Sequence, residues 1–437
     1  MTPVQPQPAG LPSGTYGGRR STRAGAWQWR RLLAAPHRLA FWGGSVMLAL
    51  SALWWGGMLL ARAAGVAVPW AVGAGTAHAL LLAFGFLPMF MAGFLFTAGP
   101  RWLGMAPMSA RLLTMPVGLM LGGWVSAVVG FHLSAPLAAL GVAAAAVGFA
   151  LAAGLFGLLV LESRVADRDH ARLAVLGCAI TVVAQWAAAV ALALGQEMAA
   201  RAAVHAALWG GLALIFVVVA HRMIPFFTEG ALPEVSAWHP RALLVVLAVL
   251  VLSQAPFAAA EALAGGSLPA PVAALRAAIE LPGGALLLWL SLRWGLRQSL
   301  RVRLLAVLHI GFAWLGVAFT LGGVSHALMA LSDGTRSLGL APLHAFTMGF
   351  MGSGLLAMAT RVSRGHSGRS LQADNWTWMI FWALQVAVLA RVVAALWPAA
   401  GTPFTLLAAQ FWLAAMGAWA LRHGPWYGQP RVDGGAG

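Results

Sequence analysis

Apolar residues along this chain fall in long, nearly unbroken runs. They do not alternate as in a half-buried strand, nor form the narrow stripe of a surface helix. From Leu39 onward the runs lie at 39–61, 70–98, 111–131, 135–160, 172–195, 201–224, 241–263, 269–293, 303–330, 339–360, 375–397 and 401–422. Each is bounded by proline, glycine or arginine, and at about 1.5 Å per residue each can cross a hydrocarbon core of about 30 Å. The pattern predicts an all-α, polytopic integral membrane protein with a twelve-helix transmembrane domain over 39–422. Residues 1–38, rich in proline, glycine, serine and arginine, read as a disordered basic cytoplasmic tail, without the apolar stretch and cleavage site of a signal peptide. Residues 423–437 read as a second, short cytoplasmic tail.

Composition narrows the class. The 437 residues are 61% hydrophobic and 9% charged, where a soluble domain carries about 25% charged residues. A water-soluble enzyme, a disordered chain and a nucleic-acid-binding domain are excluded. All 27 basic residues are arginine, against 11 acidic ones, for a net charge of +16. If the amino terminus is inside, 22 of the 27 arginines fall on the cytoplasmic side and only Arg62, Arg201 and Arg336 outside. Both termini are therefore expected in the cytoplasm, and the excess charge serves topology and anionic lipid headgroups, with no nucleic-acid partner required. The single cysteine, Cys178, cannot supply a disulfide framework, an iron–sulfur cluster, covalent haem attachment or a thiolate copper centre.

Alternating helix direction turns sequence position into depth. His78, His205 and His344 lie a few residues into the second, sixth and tenth helices, and His326 lies a few residues before the end of the ninth. All four fall within roughly 6–12 Å of the outer edge of the core. Ionisable groups in membrane helices usually turn toward the bundle interior and mark function, and neutral imidazole suits haem iron, copper and zinc. One axial haem ligand with a three-histidine copper site, or a bis-histidine haem, are both compatible with four such residues. Scarce carboxylate at this depth argues against calcium, manganese or di-iron. Gly85 and Gly352 share a helix face with His78 and His344 and would leave room for a flat macrocycle.

His309 lies about 25 Å below His326 on the same helix, suited to a second metal or to a proton path. Arg276 and Glu280, four apart within the eighth helix, can neutralise each other, and Glu280 is a proton-path candidate. The intervals from His205 to Arg222 and from His344 to Arg361 are the same, 17 residues, as an internal repeat would give. His221 reads as interfacial, His132 is undecided, and His37, His170, His239 and His423 read as ordinary tail and loop residues.

The stretch His344-Ala-Phe-Thr-Met-Gly-Phe-Met-Gly, followed by Met358-Ala-Thr-Arg361 and Gly365-His366-Ser-Gly-Arg369, resembles the signature of the NnrS family. His221-Arg-Met-Ile-Pro-Phe-Phe-Thr228, Ala92-Gly-Phe-Leu-Phe-Thr-Ala-Gly-Pro-Arg-Trp102 and Leu308-His-Ile-Gly-Phe-Ala-Trp314 are similar to further family segments, in the same order. The resemblance implies a bacterial inner-membrane protein containing haem b and copper, associated with nitric oxide in denitrification or nitrosative stress. Carried over by position, His78, His309, His344 and His366 match family histidines, and Arg222, Arg361 and Arg369 match family arginines; these are the haem-binding candidates. His205, His326, His344 and His78 are the copper candidates. The chain departs from the family at Thr76-Ala-His78-Ala79, where members carry His-Ala-His-Glu, and at Ala220-His221-Arg222, where they carry Gly-Gly-Arg. In the Gly365–Arg369 loop, arginine and glycine around His366 suit a haem propionate or another anion.

Two kinds of function follow from the resemblance. One is an oxidoreductase that reduces nitric oxide to nitrous oxide, its electron donor unidentified; the other is a non-enzymatic nitric-oxide-binding protein or a haem- or copper-handling transporter. The arginine bias itself makes a prediction. In a Cys178→Ala background, Arg336→Cys should react with a membrane-impermeant maleimide on intact spheroplasts, and Arg297→Cys only after permeabilisation. The reverse pattern would invert the topology.

Overall fold

A computed structural model describes residues 26–435. The described chain is helical throughout, with no strand. Its long helices are α1 (Pro36–Ala63), α2 (Ala74–Trp102), α3 (Ala110–Leu133), α4 (Ala135–Glu162), α5 (Asp169–Ala193), α6 (Glu197–Ala231), α7 (Arg241–Leu263), α8 (Ala270–Arg293), α9 (Arg303–Leu331), α10 (341–366), α11 (Asn375–Leu396) and α12 (Pro398–Tyr427). Eleven of the twelve expected spans are long and apolar enough to cross a membrane; α10 is long enough, but its glycines, serines and histidines leave it less apolar.

The sequence sets these boundaries. Proline occupies the first turn of α1, α4, α8 and α10, where its missing N–H would have no intrahelical partner. Between α5 and α6 the chain turns through Gly195 at φ +69°, a left-handed conformation that side chains resist. Two ends depart from the tails expected at 1–38 and 423–437. Residues 1–25 lie outside the described region, but residues 29–34 form a 3-10 turn and α1 already begins at Pro36. At the other end α12 continues to Tyr427. The buried Arg38 guanidinium joins these ends, donating to the carbonyls of Tyr427 (3.1 Å) and Gln429 (2.9 Å). With α1 packed along α12, the bundle closes on itself.

Small residues let neighbouring helices approach. A Cβ at Gly123 of α3 would lie 2.5 Å from the Gly141 carbonyl oxygen of α4, and one at Gly284 of α8 would lie 2.8 Å from the backbone of Thr320 in α9. The helices sort into inner and outer layers. In α2, α6 and α9, 83%, 72% and 67% of the most apolar window is buried, against 39–50% in the other eight spans. The outer layer exposes leucine, valine and tryptophan, as a lipid-facing surface requires.

Two helices, α6 and α10, change winding. Ala207–Ala213 in α6 and Ala345–Gly352 in α10 are π-helical. Each π segment starts one or two residues after a histidine, His205 or His344, and each is rich in glycine. Such segments re-aim side chains and concentrate at functional sites. In α2 the corresponding break falls at Gly85–Phe86. A Cβ at Gly85 would come 2.5 Å from the Leu81 carbonyl oxygen, so this glycine is required by the break itself.

Beyond the bilayer region, Asp374 caps α11 by accepting from the Thr377 N–H and hydroxyl (both 2.9 Å), and it pairs with Arg422 of α12 and, at 3.5 Å, Arg364 of α10. Burial pushes its carboxyl up, but the Thr377 hydrogen bonds and the two guanidiniums outweigh that and hold it below the usual range. Its stabilisation is thus present above the usual carboxylate range and is lost as pH falls through the depressed folded value. Asp374→Ala should cost about 1 kcal/mol at neutral pH, most of it the cap, since exposed ion pairs add little. A thermal melt in detergent at pH 7 checks this; an unchanged Tm would show that the cap does not hold α11.

Candidate functional site

Three helices spaced four apart in the chain, α2, α6 and α10, line two cavities, one toward each of their ends. The amino-terminal halves form the first, of about 360 Å³, and the carboxyl-terminal halves form the second, of about 790 Å³. Because the same halves meet at each end, the three helices run parallel.

His78, His205 and His344 all line the first cavity, together with Arg201, Arg391, Trp55, Trp412 and aliphatic or methionine side chains. The His344 Nδ1–H donates to the Leu340 carbonyl (2.9 Å), so its Nε2 is the ring's lone pair. His78 packs its ring 4.1 Å from that of Trp55, and its buried Nδ1 has no hydrogen-bond partner. Gly75 and Gly352 leave parts of the wall without side chains; a Cβ at Gly352 would stand 3.3 Å from Trp412. Glu197, in the first turn of α6, fixes how α2 enters this site. Its carboxylate accepts from the Gly73 N–H (2.8 Å) and the Thr76 hydroxyl (2.7 Å). Thr76 stands where relatives were expected to carry a histidine; here it ties α2 to α6.

His326 shares the depth of these residues but not their cavity. Its Nδ1 lies 2.6 Å from Glu280 Oε2, and it joins Arg276 and Glu261 among α7, α8 and α9. The four imidazoles of the predicted layer therefore divide into three and one. Among the described residues, no three or more histidine, cysteine, aspartate or glutamate side chains converge tightly enough to hold a metal ion.

The second cavity gathers Arg101, Arg222, Arg241, His170, His221, His239 and His366 with Asp167, Asp169 and Glu229. Arg241 pairs with Asp169 at 2.5 Å, and Arg222 lies 5.1 Å over the Trp102 ring. His221 Nε2–H donates to the Pro240 carbonyl (3.3 Å), leaving Nδ1 to accept from His170 Nε2–H (3.0 Å). His170 and His239 read as ordinary residues and His221 as interfacial in the sequence; their proximity depends on how α5 packs against α6 and on the loop that carries His239.

The remaining candidates lie apart from both cavities. The Thr228 hydroxyl donates to the Ile224 carbonyl (2.7 Å) and accepts from His309 Nε2–H (2.8 Å), leaving His309 Nδ1 buried without a partner. Arg361 sits 3.7 Å over Phe227, and Arg369 sits 4.0 Å over Trp426. The seven haem candidates thus split into His78 and His344 at one end, Arg222 and His366 at the other, and His309, Arg361 and Arg369 in neither cavity. His132 is structural, accepting from Trp54 Nε1–H (2.8 Å) and bonding the Pro69 carbonyl (2.9 Å). His37 and His423, expected in tails, are both buried.

The long apolar helices define a multi-pass helical membrane protein with a histidine-lined cavity. The family model described as NnrS protein matches residues 31–431, and the chain belongs to the NnrS family. Membership supports a membrane protein of the nitric oxide response. No curated protein matches the chain.

Glu197→Ala should loosen α2 against α6, since it leaves an N–H and a hydroxyl without their charged acceptor, at a cost of about 2 kcal/mol. A melt in detergent reads this out. An unaltered Tm would show that Glu197 does not position the cavity wall.

Proposed function

We propose that the first cavity holds a b-type haem, which His78 and His344 would hold, and that the protein consumes nitric oxide there, reducing two molecules with two electrons and two protons to nitrous oxide and water. The observation that carries this reading is the convergence of His78, His205 and His344, from three parallel helices, on one largely apolar chamber. The donor set fits haem. His344 offers Nε2, Gly75 and Gly352 leave the wall open for a flat ring, Trp55 and Trp412 supply aromatic faces, and Arg201 and Arg391 are the cations available to anionic substituents. When bound, haem iron supplies a coordination site for a diatomic ligand and a one-electron couple.

The surrounding residues do the rest of the work in this reading. Leu82, Leu208, Met348 and Met351 make the chamber favourable to an uncharged diatomic and unfavourable to bulk water. Holding two reactant molecules in one cavity supplies the proximity that N–N coupling needs. Copper is less well served, because among the described residues no three donors converge on one point and His326 is engaged with glutamate. No step is assigned to copper. The electrons come from a quinol or a soluble carrier, and the membrane is the bacterial inner membrane.

A second reading, a transporter of haem or copper, draws on the two cavities that α2, α6 and α10 share at their opposite ends. Such a protein would expose its site alternately to the two sides. The purified protein should show a b-type pyridine haemochrome that is lost or greatly reduced in His344→Ala and His78→Ala, and proteoliposomes given an artificial electron donor should consume nitric oxide. Full haem in both variants would remove the proposed ligands. Haem without nitric oxide consumption in the wild type would leave the transport reading.

A further inference from the structure

The second cavity, of about 790 Å³, is lined by three arginines and three carboxylates that do not all neutralise one another. Asp169 is engaged at both oxygens, by Arg241 at 2.5 Å and by Arg172 at 3.8 Å. Asp167 and Glu229 each use one oxygen on a backbone N–H: Asp167 Oδ1 accepts from Asp169 (3.3 Å) and Glu229 Oε1 from Ala237 (3.1 Å). Among the described residues, Arg101 and Arg222 make no hydrogen bond and no ion pair; Arg222 lies 5.1 Å over the Trp102 ring. Two guanidiniums and two carboxylates thus line one space without pairing across it.

That arrangement restricts what can fill the space. A simple anion there would meet Asp167 and Glu229, and a simple cation would meet Arg101 and Arg222. A molecule with no net charge but with both signs on it satisfies all four at once. Trp102 occupies a face of the Arg222 guanidinium, so the N–H groups at its edge remain for a planar, bidentate partner such as phosphate. The remaining carboxylate oxygens of Asp167 and Glu229 can each accept from an ammonium group, which has three N–H donors.

Position supplies the rest. The cavity lies where α2 ends at Trp102, α6 at Ala231 and α10 at residue 366, and where α5 and α7 begin at Asp169 and Arg241. Helix ends of this kind mark the level of the lipid headgroups. Phe226 of α6 lines the cavity yet is 66% exposed, with Met223 and Phe227 beside it in the wall. An apolar wall therefore runs from the charged groups out to the lipid-facing surface, which a small soluble zwitterion would have no use for.

We propose that the second cavity seats the headgroup of a zwitterionic phospholipid with a free ammonium group, of the phosphatidylethanolamine class. Its phosphate lies on Arg101 and Arg222, its ammonium on Asp167 and Glu229, and an acyl chain leaves over Phe226. Such a lipid ties together the ends of α2, α6 and α10 and the starts of α5 and α7. The site does not depend on what occupies the first cavity.

The test uses the full-length protein, purified in detergent and stripped of lipid. Native mass spectrometry measures retention of dioleoyl phosphatidylethanolamine, phosphatidylcholine and phosphatidylglycerol, and a thermal melt compares each of these with soluble phosphoethanolamine. Wild type should hold one phosphatidylethanolamine roughly tenfold more tightly than phosphatidylcholine, whose trimethylated nitrogen has no N–H to donate. Arg222→Ala should weaken that binding roughly tenfold, and Asp167→Asn should reduce the preference over phosphatidylcholine. If Arg222→Ala fails to fold, Arg101→Ala, at the exposed mouth, carries the same test. Equal retention of the three lipids, or retention unchanged in the arginine and aspartate variants, would mark the bound molecules as boundary lipid and overturn the proposal. A preference for phosphatidylglycerol would overturn it by showing a plain anion site. Phosphoethanolamine that raises the Tm as far as the lipid does would overturn the lipid as occupant.

Discussion

A polar side chain inside a hydrocarbon layer has no water to bond, so it must find a partner within the protein or cost several kcal/mol. Most of this architecture follows from that constraint. The backbone satisfies itself by winding into helices, and serine and threonine hydroxyls bond back to the preceding turn, as Ser45, Thr181, Ser291 and Thr320 do. Glu261, Arg276, Glu280 and His326, from α7, α8 and α9, collect into one cluster. Among the described residues a few buried imidazole nitrogens are left without protein partners, and one of them, His78 Nδ1, lines the first cavity.

The arrangement of helices makes that chamber possible. The buried pair α2 and α6, with α10, run parallel and bring corresponding parts of the chain to each end. One end presents imidazoles, aromatic rings and two arginines; the other presents arginines, histidines and carboxylates. The π segments after His205 and His344 give those helices local freedom to aim side chains where regular winding would not. Glu197 and Thr76 lock the entry of α2 against α6.

Much of this was legible in the sequence, and the losses have a common cause. Twelve long helices could be read from apolar runs, and helix direction placed His78, His205 and His344 at one depth, where the structure joins them. Depth is a single coordinate, however. It could not show that His326 faces α7 and α8, since that depends on the rotation of α9. Glu261, near a helix end, carried no signal without the tertiary position of Arg276. His170 and His239 looked ordinary and His221 interfacial, because the packing of α5 on α6 and one loop bring them together. Gly85 and Gly352 looked alike, but Gly85 serves a break in α2 while Gly352 faces the chamber. The equal intervals from His205 to Arg222 and from His344 to Arg361 both run through π-helical segments, but Arg222 lines the second cavity and Arg361 does not.

The account depends on the first cavity being a haem site. A cryo-electron microscopy map of the protein purified with its native cofactors tests this most directly. It should show a planar macrocycle among α2, α6 and α10, with the Nε2 of His344 or a ring nitrogen of His78 at bonding distance from the central metal. A cavity closed by side chains or filled by lipid, with a macrocycle at the second cavity or none at all, would contradict it.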